Sequence, residues 1–415
     1  MKKQFPRVLL VCLAPPTLLS GGGVTPWNLF LEWPRESIAQ VYTQWPEAHD
    51  KSLDIQCFFL PSKIFTWSFG SIVKNSIRFL TKKSAAYGYF FKGKKLIDWC
   101  RKFEPDIIYA IAYDDPLILR LPRVIASELD VPYVTQIWDD WPASFMENKS
   151  ISEKFSSTIK STFLKKLLTE AQANFCVSDE MCMAYKERYG LTFQSFHNCV
   201  DSDVWYRKSE KDSADELILR YVGVVTENKE MHSLTDVRNA VLNLRKKGFR
   251  IRFEINSAKI YQNVIEKNLT CPPGVIYDGS PSRAELPDKL ASSDILLLAI
   301  NFDEESLSYS RYSFQTKVPE YMASGTPVFA YGPLENPSIK YAHKDGWAKV
   351  VTRRNNIELE RALTELVEDD ELRAALSDRA RNLAKRDHEG TVVRARFRAA
   401  IEAALDYEAK SGSKN

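Results

Sequence analysis

The chain has 415 residues, 44% of them hydrophobic and 27% charged, with a formal net charge of +3. That length exceeds one ordinary core, so two domains are expected, and the composition is that of a globular protein. The near balance of charge gives no ground for nucleic-acid binding. Seven scattered cysteines, with no Cys-x-x-Cys pair and no Cys/His metal spacing, speak against a disulfide framework or a zinc site and for buried thiols in a reducing compartment.

In chain order, Met1–Arg7 followed by apolar Val8–Ala14 has the polarity of a signal peptide. The apolar run is short and stops at Pro15-Pro16, which fits a first buried strand better. No apolar run approaches the roughly 18 residues of a membrane-crossing helix. Gly21, Gly22 and Gly23 then read as a loop whose backbone can approach a ligand closely, or as a plain turn. Leu53–Leu60 reads as the second strand. From Lys63 to Lys102 there are ten basic residues and one acid, Asp98, interleaved with aromatics such as Trp67, Tyr89 and Trp99. This mixture suits an anionic membrane surface or a lipid-phosphate acceptor, and equally an amphipathic helix that packs its aromatics inward. Gly88–Lys95 imitates a Walker phosphate loop but lacks the Ser/Thr and a preceding strand, so that reading is rejected.

Further strands are expected at Pro105–Ala112 and Val131–Trp138. The latter ends in Asp139 and Asp140, carboxylates at the strand tip where open parallel sheets bind ligands. A helix N-cap accounts well for one of them and less well for both. The polar stretch Lys208–Glu216 reads as a linker. Beyond it, strands are expected at Leu217–Gly223, Arg250–Ile255, Val275–Gly279 and up to Ala299, and a last one by Val351. Between them, Ser310–Ala330 reads as loop, short helix opening at Pro319, stop at Gly325, Pro327 and buried strand Val328–Ala330. The loop Ser313, Phe314, Gln315 and Thr316 leaves backbone N–H groups for a diphosphate, Lys317 adds charge there, and Glu320 suits a ribose hydroxyl pair. Helices are expected over Asn356–Lys385 and Val392–Leu405, and the tail from Lys410 is disordered by composition.

The stretch from Ser313 to Val328 resembles the donor-site segment of two-Rossmann-domain (GT-B) glycosyltransferases of family 4, Ser-x-x-x-Lys-x-x-Glu-Tyr-x-Ala-x-Gly-x-Pro-Val. It matches at Ser313, Lys317, Glu320, Tyr321, Ala323, Gly325, Pro327 and Val328. The glycine loop, the Asp-Asp strand end, the link His197-Asn198-Cys199-Val200-Asp201 and the Gly223…Lys229 pair are similar to family features and come in the family's order. Cys199 stands where that link usually has glycine.

The resemblance implies an α/β fold of two Rossmann-like domains facing across a cleft. Residues 1–205 would form the acceptor side, 206–390 the nucleotide-sugar domain, and 391–415 a helix returning to the first domain, with the tail. The implied activity moves a sugar from a nucleotide-diphosphate sugar to a hydroxyl of a glycan or lipid-linked glycan in envelope polysaccharide synthesis, with retention. Lys229 and Lys317 would face the leaving diphosphate, and Asp139 or Asp140 the sugar. Donor contacts would come from Gly21, Gly22, Gly23, Gly223, Ser313, Phe314, Gln315, Thr316 and Glu320. No cofactor and no metal are expected, Asp201-Ser-Asp203 belonging to the link. The implied setting is cytoplasmic, with the Lys63–Lys102 stretch offering a peripheral seat on the inner face of a membrane, and no nucleic-acid partner.

Two departures stand out. Val224 occupies the place of an arginine, and Tyr312 that of a glutamate eight residues before Glu320; Asp303, Glu304 or Glu305 could substitute only if their loop folds back. A sugar-nucleotide 2-epimerase of the same fold and a non-catalytic nucleotide-sugar-binding scaffold are the alternatives.

Overall fold

The apolar runs become the strands of two parallel sheets. A computed structural model of the protein describes residues 5–18, 21–61, 83–146, 150–207 and 216–411. It resolves into two compact units, one formed by Met1–Phe196 with Ala395–Asn415, the other by His197–Arg394.

In the first unit lie β1 (Val8–Cys12), β2 (Ile38–Tyr42), β3 (Gln56–Phe59), β4 (Ile107–Ile111), β5 (Tyr133–Ile137), β6 (Ala173–Cys176) and β7 (Phe193–Ser195). They form a seven-stranded sheet in the order β3-β2-β1-β4-β5-β6-β7. All pairings are parallel, with Val8 opposite Ile38 on one side and Ile107 on the other. Every residue of β1, β4 and β5 is buried, as expected of parallel strands covered on both faces. The last helix, Gly390–Ser411, sends Phe397 into this unit, within 5.0 Å of Phe30 and 5.3 Å of Phe196 between ring centroids.

In the second unit lie β8 (Leu217–Val222), β9 (Ile251–Asn256), β10 (Val275–Tyr277), β11 (Ile295–Ala299), β12 (Val328–Tyr331) and β13 (Ala348–Val351). Their order is β10-β9-β8-β11-β12-β13, again all parallel. Strand order turns back between β8 and β11, and open α/β sheets bind ligands beyond the carboxyl ends at such a switch point. One apolar layer places Leu234, Val241 and Leu363 against the sheet; the other places Tyr321, Met322 and Trp347 there.

Four sequence expectations need correction. Ile38–Tyr42 is a strand that sequence patterning misses, because Gln40 interrupts the apolar run; that side chain is buried and donates to the Ala14 carbonyl at 2.8 Å. Leu53–Leu60 therefore supplies the third strand, not the second. Phe193–Ser195 was also unforeseen, being only three residues long. Gly21, Gly22 and Gly23 open a helix, Gly21–Leu29, where a loop was expected. The glycine is needed there all the same, since a Cβ at Gly23 would overlap the Thr17 carbonyl.

The unit boundary also falls before residue 205: Val200 and Trp205 pack into the second unit's core. The expected linker lies mostly outside the described residues. So does much of the basic–aromatic stretch. Its later part is a helix, Lys83–Phe103, with Leu96, Cys100 and Phe103 buried, Lys94 and Lys95 exposed, and Trp99 against Phe58 at 5.5 Å. That part follows the amphipathic pattern. Among the described residues no helix is long and apolar enough to cross a membrane. Lys410 and Ser411 still belong to the last helix, while residues 412–415 lie outside the described ones.

Candidate active site

A polar cluster of the second unit sits where β8 ends. The helix Val318–Ser324 opens with Pro319 in its first turn and closes at Gly325, whose φ is +84°. Both of its ends agree with the sequence reading. Tyr321 fixes this helix to the sheet: its hydroxyl accepts the Val222 N–H at 2.9 Å and donates to the Val222 carbonyl at 3.3 Å. The side chain of Lys317 is thereby delivered to the turn at Gly223. Its ammonium lies 4.1 Å from the Tyr221 ring centroid and so close to Gly223 that a Cβ there would overlap it. Burial lowers the pKa of Lys317 to about 8, against the opposing pull of Glu230 and then Glu320.

Glu320 is buried at 6% exposure and oriented through one oxygen. Oε1 accepts from Arg283 Nη1 at 2.6 Å and from Asn198 Nδ2 at 3.3 Å; Oε2 has no partner among the described residues. Arg283 stacks on Trp205 at 4.6 Å. Its loop is held in turn by Asn256, which donates to the carbonyls of Asp278 and Gly279 at 2.8 and 3.2 Å.

The loop before the helix is partly committed. Ser313 donates its N–H to Ser310, and the Gln315 N–H is taken by Ser338 Oγ at 2.8 Å. Gln315 is therefore removed from the expected set of free amides. The N–H groups of Phe314, Thr316 and Lys317 have no partner among the described residues. Asn336 braces the loop from behind, donating to Ser310 and Ser313 carbonyls at 2.6 and 3.2 Å. Lys229 lies in the loop after β8, and its carbonyl accepts the Asn301 N–H at 2.8 Å. Gly223, Lys317 and Glu320 lie together, and Lys229 follows Gly223 in the loop after β8. The Thr316 carbonyl accepts from Asn198 Nδ2 at 2.8 Å.

Residues 238–397 match the family model described as glycosyl transferase-like. Among solved structures, Anabaena HepE in complex with UDP-glucose is similar at a TM-score of 0.67 and 13% identity, covering 95% of this chain and 99% of that one. Sucrose-phosphate synthase from Thermosynechococcus elongatus gives 0.67 and 12%, covering 97% and 100%. WaaG, a glycosyltransferase involved in lipopolysaccharide biosynthesis, gives 0.56 and 11%, covering 94% and 98%. No curated protein sequence matches. The chain has the GT-B fold.

Other residues refine the sequence reading. Asp140 is 2% exposed and fully engaged: Arg188 donates to both its oxygens at 2.7 and 3.0 Å, and Tyr185 to Oδ1 at 3.0 Å. Asp139 is half-buried beside it. Asp303 caps the helix Glu304–Ser310 through Ser306 and pairs with His232 at 3.2 Å, while Glu304 pairs with Arg311. Arg283, Asn198 and Glu230 were not foreseen; the first two come from loops remote in sequence, and only the three-dimensional fold puts them on Glu320. Among the described residues there is no cluster of three His, Cys, Asp or Glu side chains able to hold a metal ion.

His388 adds a pH-sensitive element behind the loop. It is 2% exposed, its Nδ1 lies 2.9 Å from His197 Nε2, and His197 stacks on Phe314 at 4.6 Å. Burial first, and His197 second, hold its imidazole well below the usual histidine range. It is neutral when folded but takes a proton when unfolded. Its contribution is complete above pH ~6.5 and declines as pH falls below that, by at most about 1.4 kcal/mol per pH unit. Urea unfolding at pH 7.5 and 5.5 is expected to show a smaller loss for His388→Asn than for wild type.

Proposed function

We propose that the protein is a glycosyltransferase that takes its sugar from a nucleoside-diphosphate donor and transfers it, with retention and without a metal, to a hydroxyl of a glycan or lipid-linked glycan of the cell envelope. The observation that carries the donor reading is the convergence of Lys317, the tight Gly223 turn and Glu320 beyond the β8 end, with Lys229 in the loop that follows. Leaving-group departure places negative charge on the diphosphate. Fixed cations and unpaired N–H groups at that point stabilise the transition state more than the ground state. Glu320, with Oε1 held by Arg283 and Asn198, offers Oε2 to a ribose hydroxyl. The acceptor class leans on likeness to WaaG and on the basic–aromatic sequence from Lys63 to Lys102. HepE is seen with UDP-glucose, which makes a uridine donor the first to try.

The test is a thermal-shift panel of UDP, GDP, ADP, TDP and CMP on wild type and on Glu320→Ala. One diphosphate is expected to raise Tm, and the variant to bind it about 10- to 100-fold more weakly, as befits loss of a hydrogen bond of about 1.5–3 kcal/mol to a charged group. No shift with any nucleotide overturns the donor reading. Turnover that collapses in EDTA and returns with a divalent cation overturns the metal-independent part.

A further inference from the structure

Oε1 of Glu320 has no room for a further donor. A carboxylate oxygen accepts through two lone pairs. Here one is taken by Arg283 Nη1 at 2.6 Å and the other by Asn198 Nδ2 at 3.3 Å. The first joins two ions and is the stronger kind of hydrogen bond. Arg283 is also held from its other sides. Its guanidinium lies over the Trp205 ring at 4.6 Å, and Trp205 is itself packed into the second unit's core. The loop that carries Arg283 is tied at both ends. The Gly279 carbonyl accepts from the Ser257 N–H at 2.9 Å and from Asn256 Nδ2 at 3.2 Å, and Glu285 accepts the Ser282 N–H at 2.9 Å. Swinging Arg283 aside would leave Glu320, a buried carboxylate, without its cation, which is strongly unfavourable.

Oε2 alone is left to a ligand, having no partner among the described residues. Its two lone pairs diverge, whereas the 2′- and 3′-hydroxyls of a ribose stand side by side, so both cannot align with it at once. We propose that Arg283 is a specificity-determining residue: by occupying Oε1 it restricts Glu320 to one ribose hydroxyl, and the site tolerates loss of the other. This rests on the donor reading given above, and it departs from the hydroxyl pair that the sequence suggests for Glu320. The hydroxyl that is read sets the donor class. A site that reads the 3′-hydroxyl also admits 2′-deoxynucleoside diphosphates; one that reads the 2′-hydroxyl is confined to ribonucleotides.

The experiment measures the Kd of UDP, 2′-deoxy-UDP and 3′-deoxy-UDP on the full-length protein, wild type and Arg283→Met. GDP and its two deoxy forms take their place should UDP not bind. In the wild type, one deoxy analogue is expected to bind within about three-fold of the parent and the other about 10- to 100-fold more weakly, the loss of one hydrogen bond to a charged group. Arg283→Met vacates one lone pair of Oε1 for the neighbouring hydroxyl. Its two deoxy analogues are then expected to fall within about three-fold of each other, both weaker than the parent. Arg283→Lys, which returns a cation to Oε1, is expected to restore the wild-type preference. The wild-type comparison decides the matter even if Arg283→Met melts early. Equal losses with both analogues in the wild type overturn the proposal and leave the donor reading intact. So does an Arg283→Met that weakens all three nucleotides by one factor and keeps their ranking, as a merely structural arginine would. Wild-type affinity unmoved by either analogue overturns it together with the ribose role of Glu320. A protein that binds neither UDP nor GDP overturns the donor reading itself, and this inference with it.

Discussion

Lys317→Ala is expected to lower kcat/KM by about 10²–10³, the usual effect of removing one preorganised charge or donor from the position where negative charge develops. The geometry explains why no neighbour replaces it. The ammonium lies over the Tyr221 ring at 4.1 Å, and Gly223 leaves just the space it occupies. Lys229 belongs to a different loop, tied down through Asn301. The effect should fall on kcat as much as on KM, because charge on the diphosphate is greatest as the glycosidic bond breaks. A pH signature accompanies it. Burial lowers the folded pKa of Lys317 to about 8, so the charged form that serves the donor is present below that value and is lost as pH rises through it. Wild-type kcat/KM should decline above pH ~8, and Lys317→Arg, which stays charged, should remove the decline. Steady-state rates with the nucleotide sugar chosen by the binding panel, alongside Tm for each variant, check this. A folded Lys317→Ala enzyme within five-fold of wild type would show that Lys317 is not at the diphosphate.

What was readable in the sequence has a common physical cause, and so does what was not. The helix Val318–Ser324 and strand β12 were legible because Pro319, Gly325 and the apolar run at Val328 are local signals, each acting through its own backbone geometry. Strand β8 was legible for the same reason. β2 was not, because Gln40 earns its burial from Ala14, far away in the chain. The glycines at 21–23 read as a loop for a ligand or a turn, yet the segment is helical, and the group close to Gly23 is Thr17. Glu230 was illegible for a stronger reason. In Thr226-Glu-Asn-Lys-Glu230 nothing local marks it for burial, and only the fold encloses it, with Thr226 as its hydrogen-bond donor. Arg283 on Glu320 is the same case. Sequence patterns report what a residue does to its own backbone; side-chain pairing between distant loops leaves no such mark.

The two aspartates at the end of β5 are expected to separate cleanly by experiment. Asp140 is inside the first unit, held by Arg188 through both oxygens and by Tyr185. Asp140→Asn leaves Arg188 beside a neutral amide in a mostly apolar setting. Breaking one partner of a buried ion pair costs about 3–5 kcal/mol, and with Arg188 a third exposed the loss should lie near the lower end, about 3 kcal/mol. Restoring neutrality with Arg188→Met in the same chain should recover part of it, since the penalty comes from the charge left behind. Asp139→Asn should change Tm by little and, if Asp139 is the carboxylate that serves the sugar or the acceptor hydroxyl, lower kcat by about 10²-fold or more. Chemical denaturation and single-turnover rates on the three variants give the answer. Loss of activity in Asp140→Asn at temperatures where it is fully folded, with Asp139→Asn unaffected, would reverse the assignment. The buried ion pair at Asp140 would then have to open during the reaction, which its three short hydrogen bonds make costly.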